Sequence, residues 1–406
     1  MIKLSNASLF SKLKPYFEAV DAYLVQDSQK INSFMNSDLL NAIEKKLIDT
    51  RLQIRSKEWV SASEILNSIN TEESFYLGEK YFLLANIAGF NANWEDAIEF
   101  NQLAITAYSK NNYNKGLFLS YYNLSADYSA LGLFKLSLNS LKTAEELAQT
   151  TTHKVQLYRA QAWSLICQNQ NKLALETLDK GFALIDEAQP SEQSMFQAVA
   201  SDIYFRTGHK NQAFEIMKKL KYSKNLRDKS RIHFEFTLLE KLTMEKPPYT
   251  YLNAPTEDIH QSKEYTLKWN CLKSLIDGDK TLAEKYWKDL CLIYPLYYSH
   301  SFQCQHAIEE KSIFICFLNS VLNYNPVQVV SDKQLNLSKQ QQKLVDLLQN
   351  ESRALSKVEL IEKIWETPYS PDMDAKFYKL VQRLKQQYNF EISHKNQIYF
   401  INLKSS

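Results

Sequence analysis

The chain has 406 residues, enough for two or three domains, and its 48 basic and 46 acidic residues give a net charge of +2. This balance excludes a bulk preference for nucleic acid or acidic substrates, so any basic surface must be local. Only seven residues are glycine, and no two of them lie within ten residues of each other. That spacing excludes the glycine-rich loops that close around phosphate, and with them a dinucleotide-binding sheet or an ordinary ATPase.

The cysteines and the apolar segments indicate the cellular compartment of the protein and whether it binds a structural metal. Five cysteines are present, an odd number with no C-x-x-C pair, so neither a disulfide framework nor a structural zinc site is indicated. The most apolar stretch, 312–324, is shorter than the ~18–20 residues that span a bilayer. We expect a cytoplasmic protein with no membrane segment, no metal and no cofactor. No catalytic motif stands out, and we expect no enzymatic activity.

A recurring pattern fills most of residues 40–295. Segments such as 94–104 (WEDAIEFNQLA) and 171–181 (NKLALETLDKG) each carry a small residue near the start of a predicted helix. A further amphipathic helix precedes each segment, so the pattern predicts stacked helix pairs in which the small side chain lets two backbones approach closely. The small residues are Ala62, Ala97, Ser137, Ala174, Ala213 and Ala283. The distances between consecutive members of this set are 35, 40, 37, 39 and 70 residues.

These segments resemble the tetratricopeptide repeat, which implies an α-solenoid whose first helices line one face. The resemblance implies that this first-helix face binds a peptide or protein effector, unless it is an ordinary solvated groove or a subunit contact. By position, the candidate groove residues are Phe82, Asn86, Tyr122, Arg159, Trp163 and Asp202.

The period is lost between residues 231 and 257, where the proline-rich stretch 246–257 predicts a loop that interrupts the stack. After Tyr324 the composition changes, which predicts a domain boundary. We therefore expect a helical-repeat domain over 1–325 and a second domain over 326–406.

The second domain has a distinct order of predicted elements. Two short strands are expected near 325–338, followed by helices at 339–349, from Ser356 onward, and from about Pro371 to Tyr388. A hairpin follows, with strands at 390–393 and 397–402 and its tip at 394–396. Three helices and a two-stranded ribbon are the order of a winged helix-turn-helix.

This domain resembles the OmpR/PhoB-type DNA-binding domain. The resemblance is carried by Leu355-Ser356, Leu360, Trp365, Arg383-Leu384-Lys385 and Tyr399. It implies a mainly α protein with a small C-terminal α/β winged-helix domain that binds double-stranded DNA.

The third helix of this domain separates apolar from polar residues. Phe377, Leu380, Val381 and Leu384 recur at helical spacing and are expected to face the core. Long donors on the opposite side would reach base edges and phosphates. The predicted DNA-binding residues on this helix are Lys376, Lys379, Arg383 and Gln386.

Other residues are predicted to contact DNA from the hairpin and from the start of the second helix. Lys395 and His394 lie at the hairpin tip, while Arg353, Ser356 and Lys357 precede or begin the helix and would hold a phosphate. A solvated basic surface without a ligand is the alternative.

Together these features predict a transcriptional regulator with a DNA-binding C-terminal domain and an effector-sensing, dimerising repeat domain. The competing interpretation is a scaffold subunit, because helical repeats ending in a winged helix also resemble PCI-domain subunits of large assemblies.

Overall fold

In the computed structural model, the chain is mainly α-helical. The structure describes residues 11–24, 26–131, 133–221, 229–243, 263–293, 313–321, 338–350, 355–370, 373–387, 390–395 and 398–403. None of the helices in these ranges is long and apolar enough to cross a membrane. The predicted strands near 325–338 lie almost wholly outside the described residues, and Ser338 precedes a helix.

The chain divides into two compact units, Met1–Leu124 and Ser125–Ser406. The helices that begin in the first unit are α1 (Lys14–Leu24), α2 (Ser28–Met35), α3 (Ala42–Arg55), α4 (Trp59–Asn67), α5 (Ser74–Phe90), α6 (Trp94–Ser109) and α7 (Asn114–Ala130). The last of these continues into the second unit. The predicted domain boundary at 325/326 stays a prediction.

The second unit contains most of the helices. Its repeat part has α8 (Phe134–Glu146), α9 (Thr151–Cys167), α10 (Asn171–Phe182), a 3₁₀ turn (Ile185–Glu187), α11 (Pro190–Arg206), α12 (Lys210–Lys221), α13 (Lys229–Thr243), α14 (Lys263–Ile276), α15 (Lys280–Ile293) and α16 (Ile313–Val321). Its C-terminal part has α17 (Lys339–Asn350), α18 (Lys357–Trp365), α19 (Met373–Gln387), β1 (Phe390–Lys395) and β2 (Ile398–Leu403).

Part of the predicted interruption is helical. Helix α13 runs to Thr243, so the loss of the repeat period from residue 231 onward is not a loss of helical structure. Phe234, Phe236, Leu238 and Leu239 of this helix are buried, and this burial stabilises a helix even where the repeat pattern is degenerate. The proline-rich stretch 246–257 lies outside the described residues.

Consecutive helices pack in pairs, as the sequence predicts. Helix α5 contacts α6, α9 contacts α10, α11 contacts α12, and α14 contacts α15. All the predicted small residues are completely buried: Ala62, Ala97, Ser137, Ala174, Ala213 and Ala283. A larger side chain at these positions would force the paired helices apart, which is why the pattern is compatible with an α-solenoid.

A second periodic feature lies in the turns inside these pairs. Five residues before a buried small residue, the backbone adopts the left-handed conformation at Lys57, Ala92, Asn169, Gly208 and Gly278. Only two of these residues are glycine, the residue that adopts positive φ at least cost. The sequence pattern therefore did not reveal this recurring turn.

A buried polar network lies inside the first unit. The Glu79 carboxylate accepts hydrogen bonds from the hydroxyls of Tyr16 and Tyr108 and pairs with the guanidinium of Arg51. Burial is the largest cause that raises the pKa of Tyr16 and Tyr108 well above the usual range. This network links α1, α3, α5 and α6 through charge-assisted hydrogen bonds.

Candidate nucleic-acid interface

The C-terminal helices share a hydrophobic cluster of their own. Residues of α17, α18 and α19 contribute to it, together with Leu355 just before α18. The four residues of α19 that were predicted to face inward, Phe377, Leu380, Val381 and Leu384, are all buried. The orientation of α19 therefore agrees with the periodicity of its sequence.

A hairpin follows α19 and contacts it. Strands β1 and β2 are antiparallel, with Phe390 opposite Leu403, and the strand β1 contacts α19. His394 is paired with Tyr399 and Lys395 with Ile398, so both residues belong to the strand rather than to the tip. Their side chains lie outside the described part of the chain, as does the side chain of Gln386 in α19.

Ser356 begins α18 with a capping box. Its hydroxyl accepts a hydrogen bond from the Glu359 N–H, at 3.3 Å, and donates one to the Glu359 carboxylate, at 2.9 Å. The same carboxylate accepts a hydrogen bond from the Ser356 N–H. A carboxylate thus occupies the electropositive helix start at which a phosphate was predicted to bind. Arg353, the other residue predicted there, lies outside the described residues.

Lys357 connects the second helix of this segment to the third. Its Nζ lies 2.6 Å from a carboxylate oxygen of Asp374 and 5.5 Å from the ring centroid of Tyr378. The hydrogen bond to Asp374 is the main cause that raises the pKa of Lys357. This arrangement holds the start of α19 against the start of α18, so the contacts of Lys357 fix the position of one helix relative to the other.

Three cations lie on the outer side of α19. The side chains of Lys376, Lys379 and Arg383 are exposed, and in the described part of the chain no carboxylate forms an ion pair with them. We call these three residues the basic stripe. Their spacing places them along one side of the helix, where the long side chains project in a common direction.

Two further residues of α19 extend this surface, and both were missed by the sequence analysis. Gln382 is exposed, and the Tyr378 ring is 53% exposed. At 100° per residue, Gln382 lies closer than Lys376 to the direction opposite the apolar core. A helical projection of residues 373–387 would therefore have identified Gln382. The contact between Lys357 and the Tyr378 ring depends on the packing of α18 against α19, which the sequence does not give.

The groove residues of the first unit have different environments. Phe82 is only 8% exposed, so the prediction that it lines an open groove was wrong, because it packs into the core of the unit. Asn86 is half-buried, and its carbonyl oxygen accepts a hydrogen bond from the Asn123 side chain at 2.8 Å. Tyr122 is half-buried and stacks on Phe118.

The groove residues of the second unit are all engaged in pairs. Arg159 on α9 binds Glu192 on α11, with Nε 2.7 Å from the carboxylate. Asp202 binds Arg206 at 2.7 Å, and the Arg206 guanidinium lies 5.0 Å from the Trp163 ring centroid. The contacts from Arg159 to Glu192 and from Arg206 to Trp163 join the neighbouring helices α9 and α11, and the role of these residues in effector binding stays a prediction.

Comparisons with known proteins give no family for this chain. No protein-family model and no curated protein sequence matches it.

Proposed function

We propose that this protein is a DNA-binding transcriptional regulator. In this proposal the C-terminal helices and hairpin form a winged helix that binds double-stranded DNA, and the helical repeats receive a peptide or protein effector. The single observation that supports it most is the basic stripe, whose exposed side chains are carried by a helix anchored through its opposite side. Exposed cations spaced along one side of a helix match the repeat of phosphates beside a groove.

The exposed polar residues of α19 have separate chemical roles in this proposal. Arg383 and Lys379 carry donors that suit guanine edges, and Gln382 carries the amide that suits adenine. Lys376, nearer the start of the helix, neutralises a phosphate. Lys357 and Asp374 set the angle at which α19 is presented, since they connect it to α18.

We further propose that the protein acts as a homodimer, as paired half-sites raise affinity through effective concentration. Changes of effector occupancy would then alter the spacing of the two DNA-binding segments, to the extent that the effector prefers one arrangement.

The test is an anisotropy titration of the full-length protein with labelled random-sequence duplex DNA over a range of salt concentrations. On random-sequence DNA, where no particular base edge is available to Lys379 and Arg383, we expect all three cations of the basic stripe to contact phosphates. Replacing them by glutamine (Lys376→Gln, Lys379→Gln and Arg383→Gln) is therefore expected to reduce the slope of log affinity against log salt by about 2.7, at about 0.9 per phosphate contact. The matched control is the triple Lys280→Gln, Lys285→Gln and Lys288→Gln on α15, where all three lysines are also exposed.

The control variant is expected to keep the slope of the unmodified protein. Equal slopes for all three proteins, or no DNA binding at low salt, would contradict the proposal. The scaffold interpretation predicts that result, together with recovery of the protein in a large complex.

A further inference from the structure

Helix α16 packs against the repeats through one apolar side. It contacts α13 and α11, and its residues Ile313, Phe314, Phe317 and Leu318 are at most 4% exposed. The Phe314 ring lies 6.2 Å from the ring of Phe234 on α13. In sequence, α16 comes between the repeat helices and the C-terminal helices α17–α19.

The surface beneath α16 is unusually ionic. Among the described residues, Arg206 and Lys268 are the two basic residues that are buried, and both lie near α16. Lys268 Nζ is 2.6 Å from Glu264 and 5.8 Å from the Phe314 ring centroid. Arg206 pairs with Asp202 and acts electrostatically on Cys316 of α16.

Among the described residues of the second unit, no other helix contact contains a basic residue buried to this extent. Burying a lysine or arginine carries a desolvation cost that an ion pair only partly offsets, so the cores of proteins rarely contain them. A surface that is solvated for part of the time retains them. Asp202 and Arg206 also belong to the face on which an effector was predicted to bind.

Helix α16 depends on its contact with the repeats for its stability. It has nine residues, fewer than the ~12–15 that an isolated helix needs in water. Its buried residues follow the spacing i, i+1, i+4 and i+5, so they form one apolar side, as in an amphipathic helix that lies in a hydrophobic groove.

We propose that α11, α13 and α14 form a helix-binding face, and that α16 is its internal occupant. The effector is an amphipathic helix of a partner protein, with aromatic and aliphatic side chains at the same spacing, and it binds by displacing α16. This assignment rests on the proposed effector role of the repeats but is independent of DNA binding.

The first experiment uses the unmodified full-length chain and reads the alkylation of Cys316 by peptide mass spectrometry. Cys316 is partly buried and burial raises its pKa, whereas Cys271 on α14 is buried and serves as the internal control. The probe is a lysine-flanked peptide of residues 313–321 carrying Cys316→Ser. It is expected to raise the Cys316 rate saturably, by about tenfold or more, without changing the Cys271 rate.

A matched peptide that also carries Phe314→Asp and Phe317→Asp is expected to leave both rates unchanged. The assignment is overturned if the first peptide leaves the Cys316 rate unchanged at saturation. It is also overturned if both cysteines accelerate together, which would mean general unfolding.

A second measurement uses the full-length Phe317→Asp variant and the same peptide with a fluorescent label. Because its own α16 competes poorly, the variant is expected to bind the labelled peptide more tightly than the unmodified chain, by about tenfold or more. Equal affinities would overturn the assignment. A concentration-dependent dimer that exchanges α16 between copies would overturn the choice of a separate partner. None of these readouts involves DNA, so a failure of the DNA-binding proposal leaves their outcome unaffected.

Discussion

Removing the Glu79 carboxylate tests the largest buried ionic contact of the first unit. Glu79 is 4% exposed, and the side chain of its partner Arg51 is 12% exposed. Without Glu79, Arg51 retains a contact to the Tyr16 hydroxyl at 3.5 Å, and its Nε already has no hydrogen-bond partner. We therefore expect Glu79→Met to lower the free energy of unfolding by about 3–5 kcal/mol, the cost of an uncompensated buried charge.

The double variant Arg51→Met and Glu79→Met separates this cause from a loss of packing. Replacing both charges by apolar side chains of similar volume removes the unpaired ion, so the double variant is expected to be about 2 kcal/mol or more stable than the single variant. Urea unfolding followed by circular dichroism measures both.

An exposed ion pair supplies the control for this comparison. Glu176 pairs with Lys172 at 3.9 Å on the surface of α10, and Glu176→Met is expected to cost less than about 1 kcal/mol. Equal losses for Glu79→Met and Glu176→Met would refute the reasoning. So would a double variant no more stable than Glu79→Met.

Further predictions concern pH, the turns and the small residues. The pKa values of Tyr16 and Tyr108 are raised in the folded chain, so the unfolded chain loses these protons first as the pH rises. The free energy of unfolding is therefore expected to be unaffected by these tyrosines below their unfolded pKa of about 10, and to fall above it by about 1.4 kcal/mol per pH unit for each tyrosine. Unfolding measured from pH 9 to 11 checks this. Gly208 has φ of +89° with no atom within 4 Å of an added Cβ, so Gly208→Ala should cost about 1 kcal/mol through backbone strain alone. Ala92 also adopts the left-handed conformation, so Ala92→Gly should relieve backbone strain and raise the urea midpoint. Ala174→Leu should lower stability by about 1–3 kcal/mol by overpacking the contact between α9 and α10, and an unchanged midpoint would contradict that role.

The C-terminal segment illustrates how far sequence reasoning reaches towards a site. The apolar spacing in α19 correctly predicted that Phe377 and Leu384 are buried, which leaves the basic stripe outside. The same spacing could not show that Lys357 is held by Asp374, because that contact depends on how α18 crosses α19. Sequence spacing therefore assigned the faces of one helix, and the packing of two helices assigned a role to Lys357.

By itself, the sequence determined the local features of this protein: its helical class, the pairing of helices, the buried small residues from Ala62 to Ala283, and the inward side of α19. These follow from the helical period and from steric limits on close backbone approach, both of which act over a few turns. Only the tertiary structure decided that Phe82 is buried, that the Arg206 guanidinium lies beside the Trp163 ring, and that α16 covers the face beside them. Such contacts join residues far apart in the chain, and their energies depend on the burial and charge of several helices together, which no local pattern encodes.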